Sequence, residues 1–214
     1  MKAAMSVGKA SKSKRGFTLT EIAIVLGIIG LILGAIWAAA SSVYANQKSN
    51  KAQQGILAAA QAVRSMFATS ANTGVATPTP ITSPGMFPTD WQSTTVGVSG
   101  NPWHLNPTTN FAYVIGNGAL FMVEIDGISD VGCASLAGFY NISASGQNGG
   151  AVPGLVGTAF SVSAPTGGTP AVSVAAWPTA GAAPAAGNFK ATPVQCKGGG
   201  LNNSFGVLFD MSVM

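Results

Sequence analysis

Ile22 to Ala45 is a run of 24 residues without a charge, rich in Ile, Leu, Val and Ala. A helix crossing a bilayer core needs about 20 such residues. The stretch therefore leaves two options for the chain, a helix enclosed by a large core or a helix lying in a membrane. Enclosure requires apolar surface on every side, and nothing else in the chain offers enough of it. Lys2, Lys9, Lys12, Lys14 and Arg15 precede the run with no acidic residue among them, a bias that keeps the N-terminus cytoplasmic and sends the rest across. The run exceeds the roughly 7–15 apolar residues of a secretory signal, and Ala38-Ala39-Ala40 is a weak cleavage site, so the helix is read as retained.

Glu21 stands at the threshold of this run, where an ionised carboxylate in hydrocarbon costs on the order of 3 kcal/mol unless it is paired. A partner is expected. The string Lys14-Arg15-Gly16-Phe17-Thr18-Leu19-Thr20-Glu21, followed directly by the apolar helix, resembles the class III signal of type IV prepilins. The resemblance implies that a membrane peptidase cuts after Gly16 on the cytoplasmic side, N-methylates Phe17 and leaves the helix in the mature chain. Glu21 becomes the fifth mature residue. In a filament, the new α-amino group of one subunit would neutralise Glu21 of its neighbour and set the axial register of the packed helices. On this reading the chain divides into a cleaved basic leader (1–16), a hydrophobic transmembrane and assembly helix (17–45), an amphipathic continuation (46–69) and a globular head (70–214).

The net charge of +4 does not indicate nucleic-acid binding, because five of the ten basic residues lie in the leader. The mature chain would hold five basic against six acidic residues, a net charge of −1, and no basic patch remains to bind phosphate. Charged residues make up 7% of the chain, against about 25% in ordinary soluble domains. Such a surface is neutral and polar, suited to packing against copies of itself.

Past the apolar run the helix is expected to continue to about Thr69, with Ile56, Ala60, Val63 and Phe67 forming one apolar stripe that lies on a sheet. Gly30-x-x-x-Gly34 permits close approach of membrane helices, and simple tolerance of small residues explains it equally well. Asn72 to Pro107 holds six prolines, which break regular elements, and Met86, Phe87, Trp91 and Trp103 are expected to pin this connection to the domain. His104, the one histidine, has no second histidine, nearby acid or nucleophile and reads as a loop residue. Phe111–Ile115, a Gly116-Asn117-Gly118 turn and Ala119–Ile125 read as a β-hairpin. Asp126 and Asp130 flank a short stretch, Gly127-Ile128-Ser129, that is expected to cap a helix running to about Phe139, with Ile128, Val131, Leu136 and Phe139 as its apolar contacts. Two carboxylates are too few for calcium, which takes about six to eight oxygen ligands. Asn141 to Asn188 reads as short strands and exposed loops. Gly198-Gly199-Gly200 makes a turn, and Ser204–Phe209 makes a strand that alternates too little to be an edge and belongs inside the sheet.

Cys133 and Cys196 fall on the translocated side, where a disulfide persists. Free buried thiols compete with that reading, and location and even count favour the bridge. A cysteine in a short helix, a second near the end and a final hydrophobic strand resemble type IVb pilins, in which the two cysteines bound a surface segment, the D-region, here 133–196. The 16-residue leader and an early helix without proline point the same way, whereas Phe17 points to type IVa. The expected fold is α+β, a long N-terminal helix on an antiparallel sheet. The resemblance implies the major structural subunit of a type IV pilus, a non-enzyme without cofactor or metal. Its expected partners are copies of itself, prepilin peptidase, an inner-membrane assembly platform with its ATPase, and minor pilins. It would reside in the bacterial inner membrane as a prepilin, then in an extracellular filament. A minor pilin and a type II secretion pseudopilin are the alternatives within the family. A signal-anchored inner-membrane protein whose periplasmic domain binds a ligand through Trp91, Trp103 and Trp177 is the alternative outside it.

Overall fold

The computed structural model describes residue 16 and residues 18–70, 72–92, 98–105, 109–140, 154–162, 172, 196 and 199–211. The chain divides into two compact units, Met1–Val43 and Tyr44–Met214. One helix, α1 (Leu19–Met66), runs through 48 residues. It contains no proline, and its composition is dominated by Ala, Leu, Ile and Gln, all at ease in a helix except for the glycines. Its end falls three residues short of Thr69, where Phe67 to Ser70 form a turn.

In the second unit, α1 buries Ser49, Ala52, Gly55, Ile56, Ala59, Ala60 and Val63. This is the expected stripe widened by small residues, which let the helix backbone approach its neighbours closely. Phe67 packs against the same core while remaining partly exposed. Against the stripe lies an antiparallel sheet of five strands in the order β1-β2-β3-β5-β4: β1 (Thr79–Pro80), β2 (Ala112–Asn117), β3 (Leu120–Ile128), β4 (Leu155–Val162) and β5 (Asn203–Asp210). Alternation along the strands sorts the side chains between two faces. Val114, Phe121, Val123, Phe205, Val207 and Phe209 join the α1 residues in one core. Tyr113, Ile115, Leu120, Met122 and Leu208 form a second cluster on the opposite face, covered in part by Val172. Both faces of β5 are therefore buried, as its continuous apolar run requires, and β5 lies between β3 and β4 inside the sheet.

The hairpin turns later than the sequence indicated. Gly116 and Asn117 belong to β2, and Gly118-Ala119 make a two-residue turn with Gly118 at φ +61°, a conformation that favours glycine. Gly116 serves a neighbour rather than the turn, since a Cβ there would sit 2.8 Å from the Thr73 side chain.

The stretch Gly127-Ile128-Ser129 caps the helix through Ser129, while the aspartates that flank it do not cap. Asp126 is a buried residue of β3, and Ile128 closes that strand. The N-cap of α2 (Asp130–Phe139) is Ser129, whose side chain accepts from the Gly132 N–H. Ser129 has the extended backbone that a cap needs, while Asp130 already lies within the first turn. Val131 points to solvent, 60% exposed, instead of into the core.

The proline-rich connection holds more order than its composition indicated. Pro80 lies in β1 at the sheet edge, where a missing N–H is tolerated, and Thr89–Trp91 form a single 3-10 turn after Pro88. Of the segment 141–188, the described part is Gly154, β4 and Val172; the remainder lies outside the described residues.

Candidate functional site: the N-terminal processing and assembly segment

The segment from Gly16 to Val43 carries Glu21 as its one charged residue. Gly16 is exposed, and Phe17 lies outside the described residues. Thr18 and Glu21 form a reciprocal cap at the start of α1. Glu21 Oε2 accepts from the Thr18 backbone N–H at 2.9 Å and from its hydroxyl at 3.0 Å. Thr18 Oγ1 in turn accepts from the Glu21 N–H at 3.3 Å. This is a capping box, which satisfies N–H groups that a helix start leaves without partners. Within a single subunit, Glu21 thus has a partner, Thr18, just ahead of the apolar run. The sequence reading assigned Glu21 a partner on a neighbouring subunit and missed Thr18, although the Thr-x-x-Glu spacing that signals such a cap stands in the string.

From Thr18 to Val43 every residue is exposed. Leu31 and Trp37 expose three quarters of their surface. A Cβ added at Gly27, Gly30 or Gly34 would meet nothing within 4 Å, so packing within the chain does not require glycine at these positions. From Ile22 to Val43 the described helix is an exposed, uncharged surface with small-residue steps. Among the described residues, α1 holds the one stretch long and apolar enough to cross a membrane.

In the head, Cys133 of α2 is joined to Cys196 with their Cα atoms 5.7 Å apart. Cys133 is buried in the main core. Asp130 ties the same region together, because its Oδ1 accepts from Asn203 Nδ2 at 2.7 Å and from Gly199 N at 3.3 Å. The two aspartates considered for calcium are thus engaged separately, Asp126 inside β3 and Asp130 at the loop that follows Cys196.

The tryptophans considered as ligand contacts do structural work in the described head. Trp91 is 1% exposed and stacks with Phe87, and a Cβ on Gly55 would fall within its ring. Trp103 packs over Gly132 in the same way. Trp177 lies outside the described residues. His104 is pinned as well as looped. Its ring lies parallel to Phe111 with centroids 4.0 Å apart, and Nε2 donates to the Gly127 carbonyl at 3.0 Å. Burial holds its pKa below the usual value, and the Lys48 charge acts in the same direction; the Gly127 carbonyl and Asp126 oppose them.

The family description "Prokaryotic N-terminal methylation motif" matches residues 11–37, the segment that contains Gly16, Thr18 and Glu21. No curated protein matches the chain.

Proposed function

We propose that this protein, whose methylation motif indicates a type IV pilin-like or pseudopilin-like chain, is the major structural subunit of a type IV filament, most similar to the IVb kind. The motif implies processing by prepilin peptidase, and the apolar helix fits a membrane-anchored prepilin. It also points to a structural rather than an enzymatic protein. The supporting observation is the helix from Leu19 to Val43, exposed throughout, whose single charge, Glu21, sits at its very start.

In our reading, cleavage after Gly16 exposes the α-amino group of Phe17, which is then methylated. The helix waits in the inner membrane until the assembly platform and its ATPase move the subunit into a growing fibre. There the apolar surfaces of many helices bury one another, and Gly27, Gly30 and Gly34 admit close neighbours. Glu21 leaves, or shares, its bonds to Thr18 when it meets the amine of the adjacent subunit, and that pairing fixes the axial step. The head forms the outer layer, with the segment bounded by Cys133 and Cys196 at the surface, where adhesion, aggregation, conjugation or motility would be decided. The buried placement of Trp91 and the packing of Trp103 weigh against a ligand-binding domain built on these rings.

The test is intact mass and N-terminal sequencing of the protein from sheared extracellular material, with and without reductant. A start at methylated Phe17 and abundance in the fibre fraction are expected. Scarcity there, with the same start, makes it a minor pilin or a pseudopilin. A start at Met1, found in membranes alone, overturns the proposal.

A further inference from the structure

Glu124 lies in the middle of β3, the central strand of the sheet, with Tyr113 of β2 and Gly206 of β5 as its Cα partners. It is completely buried. Alternation puts it on the same face as Leu120 and Met122, the face opposite α1, where burying a carboxyl group is costly unless it is hydrogen-bonded. Its Oε1 accepts from the backbone N–H of Val172 at 2.8 Å, a buried bond between residues 48 apart in the chain. Val172 belongs to none of the five strands, so the ladders of the sheet offer its N–H no acceptor, and a buried N–H without one costs about as much as a lost hydrogen bond. The Val172 side chain is 5% exposed and packs with Tyr113, Ile115, Leu120, Met122 and Leu208. In sequence Val172 stands between β4 and Cys196, within the stretch that the Cys133–Cys196 bridge closes. That stretch is therefore tied to the rest of the head at β4, at the bridge and, between them, at Val172.

We infer that Glu124 is a clasp, whose carboxyl oxygen holds the cysteine-bounded segment on this face of the sheet at Val172 without help from the disulfide. The apolar seat alone is not directional, because a valine side chain finds similar contacts at several places on a cluster of Ile, Leu and Met. A hydrogen bond to an oxygen fixed on the central strand is directional and admits one position. Position 172 therefore keeps its place when the bridge opens, and the two ties fail independently. The clasp belongs to the head and does not depend on whether the chain assembles into a filament.

The test is amide-resolved hydrogen exchange of the full chain in detergent. In the wild type the Val172 amide should be clearly protected, and it should keep most of that protection when Cys133 and Cys196 are both replaced by serine. Glu124→Leu removes the oxygen while suiting the apolar cluster, and should speed exchange at Val172 roughly ten-fold or more, with the strand amides of Val123 and Val207 little changed. Glu124→Gln, which keeps an oxygen at the same reach, should restore most of the protection. Val172→Ala, which trims the seat and leaves the bond, should speed exchange less than Glu124→Leu does. Free exchange at Val172 in the wild type overturns the clasp, as does protection that survives Glu124→Leu, or protection lost with the disulfide while Val123 and Val207 keep theirs. An effect of Val172→Ala as large as that of Glu124→Leu transfers the hold to the apolar seat and overturns it. A loss in Glu124→Leu that spreads equally to Val123 and Val207, or that Glu124→Gln does not restore, assigns the residue to the general stability of the sheet and overturns the clasp too.

Discussion

Gly55 lacks a side chain where Trp91 needs the space. A Cβ on Gly55 would stand 2.2 Å from two carbons of the indole ring, and Trp91 is wedged between α1 and the rest of the core, stacked on Phe87. Gly55→Ala gains helix propensity of about 1 kcal/mol, yet the ring cannot move without opening the core, and overpacking of this kind costs about 1–3 kcal/mol. The expected result is a net loss of stability, seen as a lower thermal midpoint, despite the better helix former; a rise in midpoint would mean that the ring has somewhere to go. His104 supports a prediction about pH. Its folded pKa lies below its unfolded value of about 6.5, chiefly through burial. The unfolded chain therefore binds the proton more readily, and the histidine's contribution is present above about pH 6.5 and lost as pH falls. Thermal midpoints across pH 5 to 8 should fall more steeply on the acid side for the wild type than for His104→Gln, which keeps an amide donor for Gly127. Carboxylates titrating in the same range cancel in that comparison. The sequence named Trp91 as a pin but carried no sign of what it pins against, since a glycine in a helix reads as a defect until the ring above it is placed. His104 looked idle for the same reason: its partners, Phe111 and the Gly127 carbonyl, are close in the fold and not in the chain.

The elements that could be read from the sequence are those whose pattern is local. The long helix follows from absent proline and an apolar run, and β5 from an unbroken hydrophobic string that needs cover on both sides. The hairpin was readable to within a few residues, and its turn was misplaced because three residues of turn character, Gly116 to Gly118, stand together while the chain uses Gly118 with Ala119. Strand β4 was not individually visible, because Leu155–Val162 is diluted with Gly, Thr, Ala and Ser; its strand character comes from pairing with β5 along its length, a long-range effect. Asp126 was set beside the helix cap because nothing local in the sequence shows that β3 runs on through it to Ile128. At the N-terminus the methylation motif was legible because its residues are local in sequence, and even there the Thr18 half of the capping box went unread. The bridge between α2 and Cys196 supports a prediction at this scale. Its partners are 63 residues apart, and closing a loop of that size stabilises by about 4 kcal/mol in the chain-entropy model. Replacing both cysteines by serine should lower the thermal midpoint by many degrees, and reductant should shift the wild type toward the variant while leaving the variant unmoved. Similar midpoints for wild type and variant would show that Asp130, through Asn203 and Gly199, suffices to hold that region.

On the proposed function, the two units divide the work between assembly and folding. Among the described residues, the α1 members of the main hydrophobic cluster begin at Ala52; the second unit closes its core with its own helix segment, both sheet faces and the disulfide. Glu21→Ala should therefore leave membrane insertion and the head's fold unchanged while abolishing filaments, because neutral alanine satisfies the bilayer but offers nothing to a neighbour's amine. Abundant fibres of normal appearance from that variant would remove Glu21 from the register argument. The complementary experiment deletes the first unit. A fragment spanning Tyr44–Met214 loses the exposed apolar residues of the first unit and keeps the α1 residues of the head's core. It should be soluble and monomeric by light scattering, and its thermal midpoint should lie within a few degrees of that of the full chain in detergent. A fragment that unfolds or aggregates would show that residues before Tyr44 stabilise the head. A fragment that still polymerises would transfer the assembly surface from the apolar helix to the head and undo the division on which the proposed function stands.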